Sequence, residues 1–195
     1  RRRDPGAIHR AVHRQQDRPA DHCDARHIKR RGHAMPQLQL VVVRLLARHR
    51  RRAVSPKVLA ITGSNGKTTT KEMVASIFQF AKIQGTRWRG KIIKTEGNYN
   101  NLVGLPLTLL RLTGREKVAV VELGTSQPGE IRRLTEIAEP DIGIITSVAP
   151  AHLTGLKTLA GVAREEGELF RCMHPSGVAI VSLDDPWTLH RGAGF

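Results

Sequence analysis

The chain has 195 residues, 39% of them hydrophobic, and a formal net charge of +15. That is enough apolar side chain for one sizeable core, and no apolar run approaches the about 18 residues of a membrane-spanning helix. Residues 1–53 carry 15 Lys and Arg against 4 Asp and Glu, and the other 142 residues carry 17 against 13. The basic character therefore belongs to the first quarter, and the high pI alone does not make the whole chain a nucleic-acid binder. The cationic start is followed by no apolar stretch with a small-residue cleavage site, so no secretory signal is expected. Cys23 and Cys172 stand far apart in unlike contexts. That argues against a disulfide framework and for a reducing, cytoplasmic setting.

In chain order, residues 1–37 read as a basic tail of low order, rich in Arg, His, Asp and Gln; the first aromatic residue of the chain is Phe78. His22, Cys23, His27 and His33 match no common zinc spacing, and the tail lacks the stacking aromatics of a specific nucleic-acid surface. Residues 38–55 form a linker segment. Leu38 to Arg52 is predicted as a helix, with Leu40, Val43, Leu46 and Ala47 on its apolar face and a cationic end, closed by Ser55-Pro56. Val58 to Thr62 reads as a short buried strand that runs into Gly63-Ser64-Asn65-Gly66. Lys67 and three threonines follow, then a helix with Met73, Val74, Ile77, Phe78 and Ala81 on one face.

Further on, Ile92 and Ile93 form a short strand, Glu96 to Asn101 is a polar loop, and Gly104 to Leu112 is helical with Pro106 in its first turn. Val118 to Leu123 is a continuous apolar run ending in Glu122, as in a strand covered on both faces. Glu130 to Ala138 and Thr158 to Phe170 are helices, the second with Glu165, Glu166 and Glu168 among its polar positions. Ile142 to Val148 and Val178 to Leu183 are further strands, the first closing on Ala149-Pro150-Ala151-His152. The alternation predicts an α/β fold, a mostly parallel sheet with helices on both faces.

Strand, glycine loop, Lys-Thr and helix form a phosphate cradle. Loop and helix amides point at the anion, Lys67 adds a cation, and a threonine hydroxyl can hold Mg²⁺. The loop is a tight G-x-x-G-K-T-T, with Ile61 where the common P-loop has glycine; the competing reading is a tight turn with a surface lysine. Three strand ends converge, at the loop, Glu122 and His152. Thr68 and Glu122 are the natural oxygen ligands for Mg²⁺ beside ATP phosphates. The competing readings are a capped strand-end acid for Glu122 and a loop histidine bonded to backbone for His152.

ITGSNGKTTTKEM, TEGNYNNLVGLPLTLLRL, VAVVELGTSQPGEI, ITSVAPAHL and VSLDDP, in this order and spacing, resemble the central ATPase domain of the Mur ligases over about Pro56 to Pro186. The TEGN-x-NN and ELG…PGEI blocks look most like the branch of the family that adds D-alanyl-D-alanine to UDP-N-acetylmuramoyl-tripeptide in peptidoglycan precursor synthesis. The resemblance implies a P-loop NTPase-like domain using ATP and Mg²⁺ to form an amide through an acyl phosphate, with those two molecules as substrates. It also implies a monomer without membrane or nucleic-acid partners. Gly63, Ser64, Asn65, Gly66, Lys67, Thr68 and Thr69 would wrap the phosphates, with Lys67 stabilising the transferring charge. Thr68 and Glu122 would hold the first metal and His152 the second, and Asn98 and Asn101 would line the reaction centre. The alternatives are a sister ligase adding a single amino acid, a nucleotide-binding module without ligase activity, and a nucleic-acid binder acting through the basic arm.

Two departures stand out. The family helix after the His motif usually carries a carbamylated lysine that serves as a metal-bridging carboxylate, and GVAREEGELF has Glu166 in that register. Glu166 is expected to supply the carboxylate directly, making activity independent of bicarbonate. Residues 56–195 are also expected to be a C-terminally truncated central domain behind a leader unrelated to the family, with reduced or no activity alone.

Overall fold

The computed structural model describes residues 37–80, 82–83, 85–87 and 91–192. The basic tail, its histidines and Cys23, and Ala81 lie outside these residues. Five strands form one parallel sheet in the order β4-β5-β1-β6-β7, namely β4 (Ile92–Lys94), β5 (Val118–Glu122), β1 (Lys57–Thr62), β6 (Ile142–Ile145) and β7 (Val178–Ile180). Strands β6 and β7 are shorter than their apolar runs. Between the loop helix and β4, a small antiparallel pair, β2 (Lys82–Ile83) and β3 (Thr86–Arg87), stands where no strand is predicted. No described helix is long and apolar enough to cross a membrane.

Strand pleating divides the core in two. In register, Ile61 pairs with Glu122 and Leu59 with Val120, so these side chains share one face. That face is covered by α2 (Lys67–Phe80), through Val74, Ala75 and Phe78. Met73 and Ile77, predicted on the packing side, are instead exposed: the inward register is 71, 74, 75 and 78, so α2 meets the sheet about a quarter of a turn away from the predicted face. The opposite face, with Val58, Ala60, Ala119, Val121 and Leu123, packs into the larger core. It is covered by α3 (Gly104–Leu110), α4 (Glu130–Ala138) and α6 (Leu159–Cys172). A single turn, α5 (Leu153–Leu156), precedes α6, and α7 (Pro186–Gly192) follows β7.

The predicted linker helix is α1 (Gln37–Val54), which packs on α3 and α4 with Ala47 fully buried. Leu46, expected on its apolar face, is 52% exposed. The reason is the arginines. Arg50 Nε donates to Leu112 O at 2.7 Å, and Arg51 reaches Ala138 O at 3.0 Å and Glu139 O at 2.6 Å. Arg48 and Arg52 both donate to the Glu139 carboxylate. The cationic end thus serves the carbonyl ends of α3 and α4 as well as its own helix, and it sets the rotation of α1.

Glu165 and Glu166, predicted among the polar positions of α6, are buried. Glu165 accepts from Gly129 N at 2.7 Å and Ile131 N at 2.8 Å, satisfying amides at the start of α4.

Candidate functional site

The C-terminal ends of β4, β5, β1 and β6 lie side by side, and the loops leaving them build the site. After β1, Gly63 has φ +125° and Gly66 has φ +82°. A side chain at Gly63 would run into Thr146 and the backbone of Ser147. The turn is tied to the loop after β6. Ser64 N donates to Ser147 O at 2.8 Å, and Ser64 Oγ donates to Ala149 O while accepting from Ala149 N, both at 2.9 Å. Thr146 Oγ1 donates to Asn65 O at 2.5 Å. These bonds hold the outer rim and leave the mouth open. Among the described residues, the backbone amides of Gly66, Lys67, Thr68 and Thr69 have no protein acceptor. Four orphan donors at the start of a 14-residue helix are an anion cradle. Lys67 folds back over it, with Nζ donating to Gly63 O at 2.5 Å.

The carboxylate opposite is Glu122, 3% exposed. Its Oε2 accepts from Thr68 Oγ1 at 3.0 Å, its Oε1 accepts from Asn100 Nδ2 at 2.9 Å, and its backbone amide donates to Thr95 Oγ1 at 3.0 Å. Octahedral Mg²⁺ with oxygen ligands at about 2.1 Å places neighbouring ligands about 3.0 Å apart. The Thr68–Glu122 oxygen pair already has that spacing, and both donors are hard oxygens, so the residues present fit Mg²⁺. Among the described residues, no group of three or more His, Cys, Asp and Glu side chains is arranged to hold a metal.

The other candidates fall in different places. Glu166 is 3% exposed, its Oε2 accepting from Thr62 Oγ1 at 2.5 Å and Gly63 N at 3.0 Å. Thr62 lies on the α6 side of the sheet and Glu122 on the α2 side, so the two carboxylates approach the loop from opposite faces. Burial pushes the Glu166 carboxyl up, against the pull of the Thr62 hydroxyl, Lys67 and the Gly63 amide. His152 is exposed, with φ +51° at the N-cap of α5 and no side-chain capping bond. Asn98 is exposed, and Asn101 Oδ1 accepts from Val103 N at 3.0 Å and Gly104 N at 2.9 Å at the start of α3.

Sequence reasoning missed two residues here. Asn100, between the two asparagines it singled out, is the one whose amide reaches Glu122. It packs so closely on Gly124 that a Cβ there would stand 2.9 Å from its amide group. Lys71 is 1% exposed on the inner side of α2, with Nζ 3.2 Å from Glu72 Oε1 and 3.8 Å from Glu122 Oε2. The inward register that contains Val74, Ala75 and Phe78 passes through Lys71 and was the available signal.

A parallel sheet whose central strand runs through a glycine loop into a helix, with a carboxylate at the neighbouring strand end, defines a phosphate-loop α/β domain. Residues 61–192 match the Mur ligase middle domain, and the chain belongs to the Mur ligase family. It is 41% identical over 155 residues to the UDP-N-acetylmuramoyl-tripeptide–D-alanyl-D-alanine ligase of Haemophilus influenzae, covering 77% of this chain and 33% of that protein. Among solved structures it resembles MurF from Acinetobacter baumannii, with TM-score 0.70 and 36% identity over 78% of this chain and 32% of that one. It also resembles MurF ligase from Thermotoga maritima in complex with ADP, with TM-score 0.69 and 32% identity over 77% and 34% of the two chains. The chain spans about a third of the length of the curated relatives it matches.

Proposed function

We propose that this chain is the ATP-binding part of a ligase that joins D-alanyl-D-alanine to UDP-N-acetylmuramoyl-tripeptide. The reading rests on the four unpartnered amides of the loop facing the Thr68–Glu122 oxygen pair. The names of the relatives support the substrate pair. In this reading the amides of Gly66 to Thr69 and the Lys67 ammonium hold the terminal phosphates of ATP. Thr68 and Glu122 hold Mg²⁺, which when bound offsets phosphate charge. Asn100 fixes the carboxylate from behind, and Thr95 holds the Glu122 backbone amide.

The chemistry needs this charge-neutralising cradle because a carboxylate is a poor electrophile and must first be phosphorylated. Transfer of the γ-phosphoryl group to a carboxylate oxygen of the tripeptide makes that oxygen part of a leaving group. The amine of the dipeptide attacks the carbonyl carbon and loses a proton, and inorganic phosphate departs with that oxygen. His152 belongs to a second metal position, Asn98 and Asn101 to the substrate side, and Glu166 to a carboxylate supplied without carbamylation. Turnover is therefore indifferent to bicarbonate.

The test has two arms. Calorimetric titration with ADP should show affinity that depends on Mg²⁺ and falls in Lys67→Ala, with the Mg²⁺ dependence lost in Glu122→Gln. Affinity indifferent to the metal and to both substitutions would overturn the phosphate-site reading. In the second arm, a full-length ligase carrying this domain should pass label to phosphate from tripeptide labelled with ¹⁸O in its terminal carboxylate when MgATP and the dipeptide are present. Equal transfer with single amino acids in place of the dipeptide would overturn the substrate assignment.

A further inference from the structure

Lys71 has no part in the reading above, yet it is among the most deeply buried large side chains of the domain. It stands three residues after Thr68 and four after Lys67, so all three project from neighbouring positions on α2. Its ammonium lies between Glu72 and Glu122, and Glu72 is in turn paired with Lys94. Glu122 is buried, and its other partners, Thr68 and Asn100, are uncharged. Lys71 is the one cation beside it among the described residues, with Nζ 3.8 Å from Glu122 Oε2.

We propose that Lys71 is a positioning residue for the metal at the Thr68–Glu122 pair. It is the resident cation held 3.8 Å from Glu122 Oε2 before any divalent cation arrives, and its repulsion makes a bare cation bind poorly. Lys71, Lys94, Glu72 and Glu122 sum to zero charge, so a divalent ion alone brings uncompensated charge next to a fixed ammonium. Nucleotide phosphates remove that penalty, and metal and nucleotide therefore bind together. This rests on the metal-site reading of Glu122.

The probe is Mn²⁺, followed by electron paramagnetic resonance in the full chain, with and without ADP. Lys71→Met should bind Mn²⁺ alone about tenfold more tightly than the parent, which is what a fixed unit charge about 6 Å from a divalent ion is worth even under water-like screening. Lys71→Arg should behave as the parent. The synergy between ADP and Mn²⁺ should shrink about tenfold in Lys71→Met. If Lys71→Met does not fold by circular dichroism, Lys71→Gln, uncharged and still a hydrogen-bond donor, is compared with Lys71→Arg on the same readout. Lowered stability in the neutral variant with unchanged Mn²⁺–ADP synergy would assign Lys71 a purely structural part and overturn the proposal. Glu122→Gln separates the two levels. If it abolishes metal-dependent binding while the neutral Lys71 variant leaves bare Mn²⁺ affinity unchanged, only the role of Lys71 fails. If it leaves metal dependence intact, both fail.

Discussion

Asn100→Ala is the substitution that most directly probes the site. The side chain makes one hydrogen bond to the site, from Nδ2 to Glu122 Oε1 at 2.9 Å. A hydrogen bond to a charged group contributes about 2 kcal/mol. Loss of a group that orients a metal ligand costs about ten- to a hundredfold in metal affinity, and about thirtyfold corresponds to that energy. The expected result is MgADP affinity lowered about thirtyfold, with ADP affinity in excess chelator nearly unchanged. Gly124→Ala should reproduce the effect, because the new methyl would displace the Asn100 amide. Asn101→Ala should keep MgADP affinity and instead lose about 1 kcal/mol of stability, since its oxygen serves the first turn of α3. Asn98→Ala, exposed, should change neither. Calorimetry with and without Mg²⁺ reads all four. An Asn100→Ala protein that binds MgADP like the parent, or loses affinity equally in chelator, would refute the reasoning.

Three further outcomes follow from the geometry. Gly63→Ala puts a side chain at φ +125° and against Thr146, at a cost of about 1–3 kcal/mol, and should lower ADP affinity at least about tenfold in fluorescence titration. Glu165→Ala leaves Gly129 N and Ile131 N without their acceptor and should cost about 3 kcal/mol in urea unfolding; a change below about 1 kcal/mol would contradict the assigned role. Hydrogen bonds from Arg52 and Arg48 hold the Glu139 carboxyl below the usual carboxylate range. Its stabilising contribution is present above the unfolded value of about 4.3 and disappears as pH falls through the folded value. Because Arg52 is largely exposed, that contribution is about 1 kcal/mol or less. Glu139→Gln should therefore melt slightly lower at neutral pH and match the parent near pH 3, as read by calorimetric scans from pH 3 to 7.

The strand–loop–helix unit and Glu122 were legible because each depends on a few consecutive residues. A buried run that ends in a single acid can place that acid only at the strand terminus. The buried charges were harder. Lys71 and Glu166 both fall in the apolar register of their helices, so their positions were readable, but their residue types suggested solvent. Only the fold shows what neutralises or caps them. Asn100 was not legible, since in a loop without periodicity nothing in the run of asparagines says which amide meets the neighbouring strand β5. On α1, where Leu40, Val43 and Ala47 do turn inward, Leu46 alone was misplaced, for a related reason. The helix's apolar spacing fits several rotations, and the carbonyl ends of two other helices, distant in sequence, select one.

The reciprocal bonds between Ser64 and Ala149 make a clasp between two segments about 85 residues apart in the chain. Whatever tightens the turn after β1 also tugs on the approach to His152, and whatever shifts that approach loosens the turn. Replacements at Thr146, Ser147 or Ala149 will consequently show up first as poor phosphate retention, and a screen that sorts variants by activity alone would file them with the cradle itself.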